Sequence, residues 1–113
     1  MPFIDVKANV SIDPRKEEAL KRSFGEAIRL IPGKSESWLM LVISGNERLY
    51  FQGSDAPCAI AQISLYGGAS REAYDRMTAE TTRILAGALA IAPDRIYVNY
   101  RETDTWGWNG ANF

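Results

Sequence analysis

The sequence predicts an α+β fold in which two βαβ repeats form a four-stranded sheet with two helices on one face. Three observations carry this expectation. Strand, helix and strand patterns follow one another twice along the chain, at similar length. The 113 residues fit one domain, residues 1–113, which should bury about 66% of its unfolded surface and so support one core but not two. A composition of 46% apolar and 24% charged residues is that of a globular protein, not of a disordered, collagenous or coiled-coil chain.

The first repeat opens at residues 3–10, where Ile4, Val6, Ala8 and Val10 alternate with Asp5, Lys7 and Asn9, the period of a strand with one apolar face. A helix follows. Asp13 can cap it, Pro14 suits its first position, and Glu17 and Glu18 place negative charge near its positive end. Leu20, Phe24, Ala27, Ile28 and Ile31 then recur at helical spacing, with Arg15, Lys16, Lys21, Arg22, Glu26 and Arg29 on the solvated side. Pro32-Gly33 should end the helix. Residues 38–43 are six consecutive apolar side chains, the pattern of a short strand buried on both faces.

The second repeat follows the same grammar. Residues 59–66 form a strand candidate, and Ser70 caps a helix with Tyr74, Met77, Thr81, Ile84, Leu85, Ala88 and Leu89 on one side. Pro93-Asp94 should close that helix. In the last strand, residues 95–101, Ile96, Val98 and Tyr100 alternate with Tyr97 and Asn99. Two helices can cover only one side of such a sheet, while residues 38–43 are apolar on both. Copies of the chain are the simplest cover for the open side, so a homo-oligomer is expected.

Charge and residue usage narrow the chemistry. Thirteen basic and fourteen acidic side chains give a net charge of −1, with no excess to neutralise a phosphate backbone, so nucleic acid is not an expected partner. The mixed signs along the first helix likewise argue against a membrane surface. No apolar run approaches the ~20 residues of a bilayer span, and no signal peptide is visible. The expected location is therefore cytoplasmic, or secreted without a signal peptide. The chain has no histidine and one cysteine, Cys58, which removes the usual zinc ligands, the usual general base and any internal disulfide. No metal or cofactor is expected. Proton transfer would fall to another group, and Pro2 offers one. Removal of Met1 before a small residue leaves a secondary amine at the head of a strand, and burial or a nearby cation would favour its neutral, basic form.

Beyond these features, Pro2-Phe3-Ile4, Pro32-Gly33-Lys34, residues 53–59 around Cys58, residues 92–100 from Ala92-Pro93-Asp94 to Tyr100, and residues 107–113 from Gly107-Trp108-Asn109 occur in the order and near spacing of one family. The chain resembles the macrophage migration inhibitory factor family of the tautomerase superfamily over essentially its whole length. The resemblance implies a homotrimer with active sites between neighbouring subunits. It implies a keto–enol tautomerase of small aryl α-keto acids such as phenylpyruvate, with dopachrome-type isomerase activity, in which Pro2 is the general base and acid. Lys34 would stand beside that proline, lowering its pKa and pairing with the substrate carboxylate. The implied substrate-binding set is Phe3, Lys34, Ser64, Leu65, Tyr66, Tyr97, Asn99 and Trp106, with Tyr97 and Asn99 supplied by the adjacent subunit. Tyr66 and Trp106 are bulkier than the family's usual residues there and bear on substrate preference. Residue 61 is alanine, so Cys58 lacks the second cysteine of a dithiol motif and reads as a small buried side chain. Two other readings stay open on the same scaffold: a cytokine-like binding or signalling protein with vestigial tautomerase activity, its receptor unspecified, and hydration or dehalogenation of an unsaturated acid.

Overall fold

Alternation in the first strand translates directly into the two faces of a sheet. In the computed structural model, which describes residues 1–113, strand β1 (Pro2–Ala8) buries Pro2, Ile4, Val6 and Ala8 and leaves Phe3, Asp5 and Lys7 half-buried on the other side. Helix α1 (Pro14–Ala27) starts as its sequence dictates: Pro14 occupies the first turn, and Lys16 donates its backbone N–H to Asp13 Oδ1 at 2.8 Å. A 3-10 turn, Ile28–Leu30, continues it before Gly33, at φ 81°, reverses the chain. Strand β2 (Met40–Ser44) returns parallel to β1. Strand β3 (Ala59–Tyr66) then pairs antiparallel with β1. Helix α2 (Arg71–Leu89) is capped by Ser70 Oγ, which accepts from the Ala73 N–H at 3.1 Å, and ends at Ala90 in the left-handed region. Strand β4 (Ile96–Thr103) closes a second crossover, parallel to β3. The sheet order is β2-β1-β3-β4, two parallel βαβ units joined back to back.

Both helices lie on one face. Ile4, Val6, Ala61, Ile63 and Leu65 from the sheet form a single buried cluster with Leu20, Phe24, Met77 and Leu85 from the helices. Fully buried side chains such as Phe24, Leu20 and Met77 contribute roughly 1.5–3 kcal/mol each through removal of apolar surface from water.

Three features differ from the sequence-based expectations. Residues 38–43 do not form a strand buried on both faces. Trp38 lies in a 3-10 turn, Glu36–Trp38, and β2 is an edge strand in which Leu41 and Ile43 pack against the core while Met40 is 68% exposed. An unbroken apolar run records what a strand can bury, not whether its own chain covers it. The sheet face opposite the helices is also less apolar than that run implied, since the central strands β1 and β3 present Asp5, Lys7, Gln62 and Ser64 there and the edge strand β4 presents Asn99 and Arg101. Finally, the C-terminus folds into a hairpin of β5 (Gly107–Trp108) and β6 (Ala111–Asn112) around Asn109-Gly110, both with positive φ. Asn-Gly is a strong signal for a two-residue hairpin turn, but the strands are too short to read by periodicity.

The connection of residues 45–58 adds no residue to the buried cluster and is held from outside. Asn9 donates through Nδ2 to the carbonyls of Leu49, Asp55 and Ala56 at 3.0–3.1 Å and accepts the Cys58 N–H at 2.8 Å. Within the loop, Phe51 and Ser54 exchange backbone hydrogen bonds of 3.0 Å across a tight turn in which Gln52 and Gly53 both have positive φ. Cys58 is buried, with its Sγ 3.7 Å from the Leu49 carbonyl.

Candidate active site

The amino terminus is tied into the fold by the edge of β3. Pro2 sits opposite Leu65 in the β1–β3 ladder, and the Tyr66 N–H donates to the Met1 carbonyl at 3.2 Å. Lys34, presented by the turn after Gly33, donates from Nζ to the Tyr66 carbonyl at 2.9 Å. One backbone unit of Tyr66 thus fixes both the chain terminus and a cation beside it. The electrostatic consequence is direct. Burial pulls the terminal amine of Met1 down from 8.0 to about 6, and a hydrogen bond from Lys34 and its positive charge add to the shift. An amine at this place is largely unprotonated at neutral pH.

A cleft of about 360 Å³ opens at this terminus, lined by Met1, Pro2, Phe3, Trp38, Met40, Trp106, Gly107 and Trp108. The aromatic walls support one another. Trp38 meets Trp108 edge to face at 5.0 Å between centroids, and Trp108 and Phe113 stack at 6.3 Å. The ring of Phe113 contacts Tyr66 at 5.7 Å, and its N–H donates to the Trp106 carbonyl at 2.9 Å, so the chain end closes back onto the hairpin. An apolar cleft with an amine of lowered pKa at its mouth and one lysine beside that amine suits a small acid carrying an aryl or other flat apolar group. A second groove of about 380 Å³ between α1 and β2 is lined by Glu17, Glu18, Lys21 and Glu36 along with Leu39, Leu41 and Ile43. Its carboxylates outnumber its cation and would repel an acid, so the terminal cleft is the better candidate despite its slightly smaller volume.

The residues expected at a site divide into three groups. Pro2, Phe3 and Trp106 line the cleft, and Lys34 stands at its amine. Ser64, Leu65 and Tyr66 lie along the neighbouring strand, yet Ser64 faces the open side opposite Phe3 and Leu65 is fully buried in the core, which leaves only its backbone for a ligand. Tyr66 acts through its backbone, its ring being engaged with Phe113. Tyr97 and Asn99 are not brought to Pro2 of the same chain. Tyr97 pairs with Ile60, which pairs with Lys7, five residues along β1 from Pro2, a distance of about 17 Å along the strand. Sequence reasoning missed Trp38, Met40 and Trp108 as cleft walls. Their signal was the clustering of all three tryptophans at the two apolar segments that flank the pocket in space.

Comparison with known proteins agrees with this fold at full length. The sequence model of the family described as macrophage migration inhibitory factor matches residues 1–113. The chain is 32% identical to macrophage migration inhibitory factor of Meriones unguiculatus, covering 100% of this chain and 99% of that protein. It is 31% identical to the macrophage migration inhibitory factor homolog of Trichuris trichiura, with both chains covered completely. Among solved structures, the crystal structure of Leishmania major MIF2 superposes with a TM-score of 0.93 at 34% identity, covering 100% of this chain and 97% of that one. A match that spans every element, including the amino-terminal strand and the C-terminal hairpin that frame the cleft, establishes kinship of the whole chain: it belongs to the macrophage migration inhibitory factor family, which includes tautomerases and cytokine-like proteins.

Proposed function

We propose that the chain, once Met1 is removed, is a keto–enol tautomerase of small aryl α-keto acids such as phenylpyruvate, with dopachrome-type isomerase activity, and that it works as a homotrimer. The observation that carries this reading is geometric: the chain terminus, with Lys34 fixed beside it, lies at the mouth of an aromatic cleft, a setting that lowers the pKa of a terminal amine. Removal of Met1 would transfer that environment to the secondary amine of Pro2. As a neutral base, the amine takes a proton from the carbon next to the keto group while the electrons move onto the keto oxygen. Returning a proton to that oxygen completes the enol, and the reverse sequence regenerates the ketone. Lys34 holds the substrate carboxylate and keeps the amine unprotonated between turnovers. The aryl group lies among Phe3, Trp38, Trp106 and Trp108. Tyr97 and Asn99, too far from Pro2 in their own chain, complete the site of a neighbour.

The test is enol formation from phenylpyruvate by protein whose loss of Met1 is verified by intact mass. The parent protein should turn over phenylpyruvate, and Pro2→Gly should cut kcat at least about a hundredfold, the lower range for loss of a positioned general base. Folding and assembly should be intact. Unchanged turnover in the Met-free variant would remove Pro2 from the mechanism.

A further inference from the structure

The connection of residues 45–58 places one side chain, Phe51, against Tyr97. Their rings meet edge to face with centroids 5.0 Å apart and an interplanar angle of 86°. Tyr97 is 59% exposed, so burial does not fix its ring, and a tyrosine on an open sheet face can adopt several rotamers. Phe51, by contrast, is fastened. It opens the tight turn through Gln52-Gly53, and Arg95 clamps that turn to the start of β4. Arg95 Nε donates to the Pro57 carbonyl at 2.9 Å, and Nη2 donates to the carbonyls of Phe51, Ser54 and Ala56 at 3.3, 3.1 and 3.0 Å. The same guanidinium lies 5.3 Å from the Phe51 ring centroid, within cation–π range. Arg95 is two residues before Tyr97, so a single strand end holds both the clamp and the ring it orients.

We infer that Phe51, clamped by Arg95, is a positioning residue that pre-sets the Tyr97 ring for the substrate site of the neighbouring subunit. This inference rests on the shared-site reading above. Apparent substrate affinity scales with the fraction of Tyr97 rings in the competent rotamer, so KM rises as that fraction falls. Loss of one aromatic pair should therefore raise KM by about two- to tenfold and leave the proton-transfer step, hence kcat, nearly unchanged.

The experiment is a double-mutant cycle on Met-free protein with phenylpyruvate as substrate, using Phe51→Leu, Tyr97→Leu and the double variant, with Phe51→Tyr as the conservative replacement. Positioning requires that Phe51→Leu raise KM, that Phe51→Tyr restore it, and that Phe51→Leu have no further effect once Tyr97 is leucine. If Phe51→Leu fails to fold, Phe51→Met, which keeps volume but removes the ring, enters the same cycle. Arg95→Lys should raise KM in the Tyr97 background and not in the Tyr97→Leu background. An effect of the Phe51 substitution that persists undiminished with Tyr97→Leu, or an unchanged KM where Tyr97→Leu alone raises it, overturns the positioning role while leaving the shared site standing. An unchanged KM in Tyr97→Leu itself overturns the shared site and the positioning role with it.

Discussion

Lys34 illustrates how one side chain can set the chemistry of a group it does not react with. Its Nζ is anchored on the Tyr66 carbonyl at 2.9 Å, a contact that does not involve Met1 and that holds the cation beside the chain terminus. Burial is the main reason the amine lies below its ordinary value, and the Lys34 hydrogen bond and positive charge lower it further. For a base of lowered pKa, activity is present above that pKa and is lost as pH falls through it. Lys34→Ala should therefore move the acid limb of the kcat/KM profile upward, towards the ~8 of an unperturbed amine. Its activity should fall most at pH 6–7 and least above pH 8.5. KM should rise as well, because the substrate carboxylate loses its partner. A pH profile and KM identical to the parent's would show that Lys34 neither tunes the amine nor binds the acid. The amine and the cation were legible in the sequence because both are defined by charge and position in a motif. The aromatic walls were not. Trp38 and Met40 belong to an apolar run that periodicity assigns equally to a core strand, and only the fold reveals that the run lies at an edge beside the C-terminal hairpin.

At the scale of elements, regular structure and irregular structure were legible to different degrees. Both helices carry their start signals, Asp13-Pro14 and Ser70, and these caps are made as expected. In β1 and β4, Ile4, Val6 and Ala8 and then Ile96, Val98 and Tyr100 named the inner face residue by residue, whereas β3 read only as a strand because Ala59, Ile60 and Ala61 are all apolar. The 45–58 connection gave no such signal, since its order comes from hydrogen bonds reaching it from Asn9 and Arg95 rather than from its own side chains. That origin makes a specific prediction. Asn9→Ala deletes an amide that bonds the loop at four places and leaves the Cys58 N–H without its partner, a cost of about 1–3 kcal/mol. Chemical denaturation should show the loss as a lower midpoint at unchanged slope. The acid limb of the activity profile should stay in place, because the loop does not touch the terminal amine. A midpoint equal to the parent's would mean that Arg95 alone suffices to order the loop.

At the scale of the whole molecule, the sheet separates groups that the proposed reaction uses together. Pro2 marks one end of β1, whereas Tyr97 lies at the level of Lys7, two strands away on the open face. No side-chain rotation spans that gap, so a site using both must draw them from two chains. The exposed edge of β2, with Met40 and Val42 uncovered, is the apolar surface an association would bury. The centre of the open face, with Asp5, Lys7, Gln62 and Ser64, is polar and offers an association less apolar area. This arrangement predicts complementation. In trimers refolded from equal amounts of Pro2→Gly and Tyr97→Leu chains, a site is intact when its proline comes from the second variant and its tyrosine from the first. Random assembly gives that combination in about a quarter of sites. Turnover of phenylpyruvate at low substrate concentration should therefore rise well above the average of the two proteins assayed separately, approaching about a quarter of the parental value. The same sample, mixed without unfolding, should stay at the average. Light scattering at micromolar concentration should report a trimer for the parent and both variants. A monomer, or a co-refolded mixture that remains at the average although both variants are severely impaired, would place the whole site within one chain and leave Tyr97 outside it.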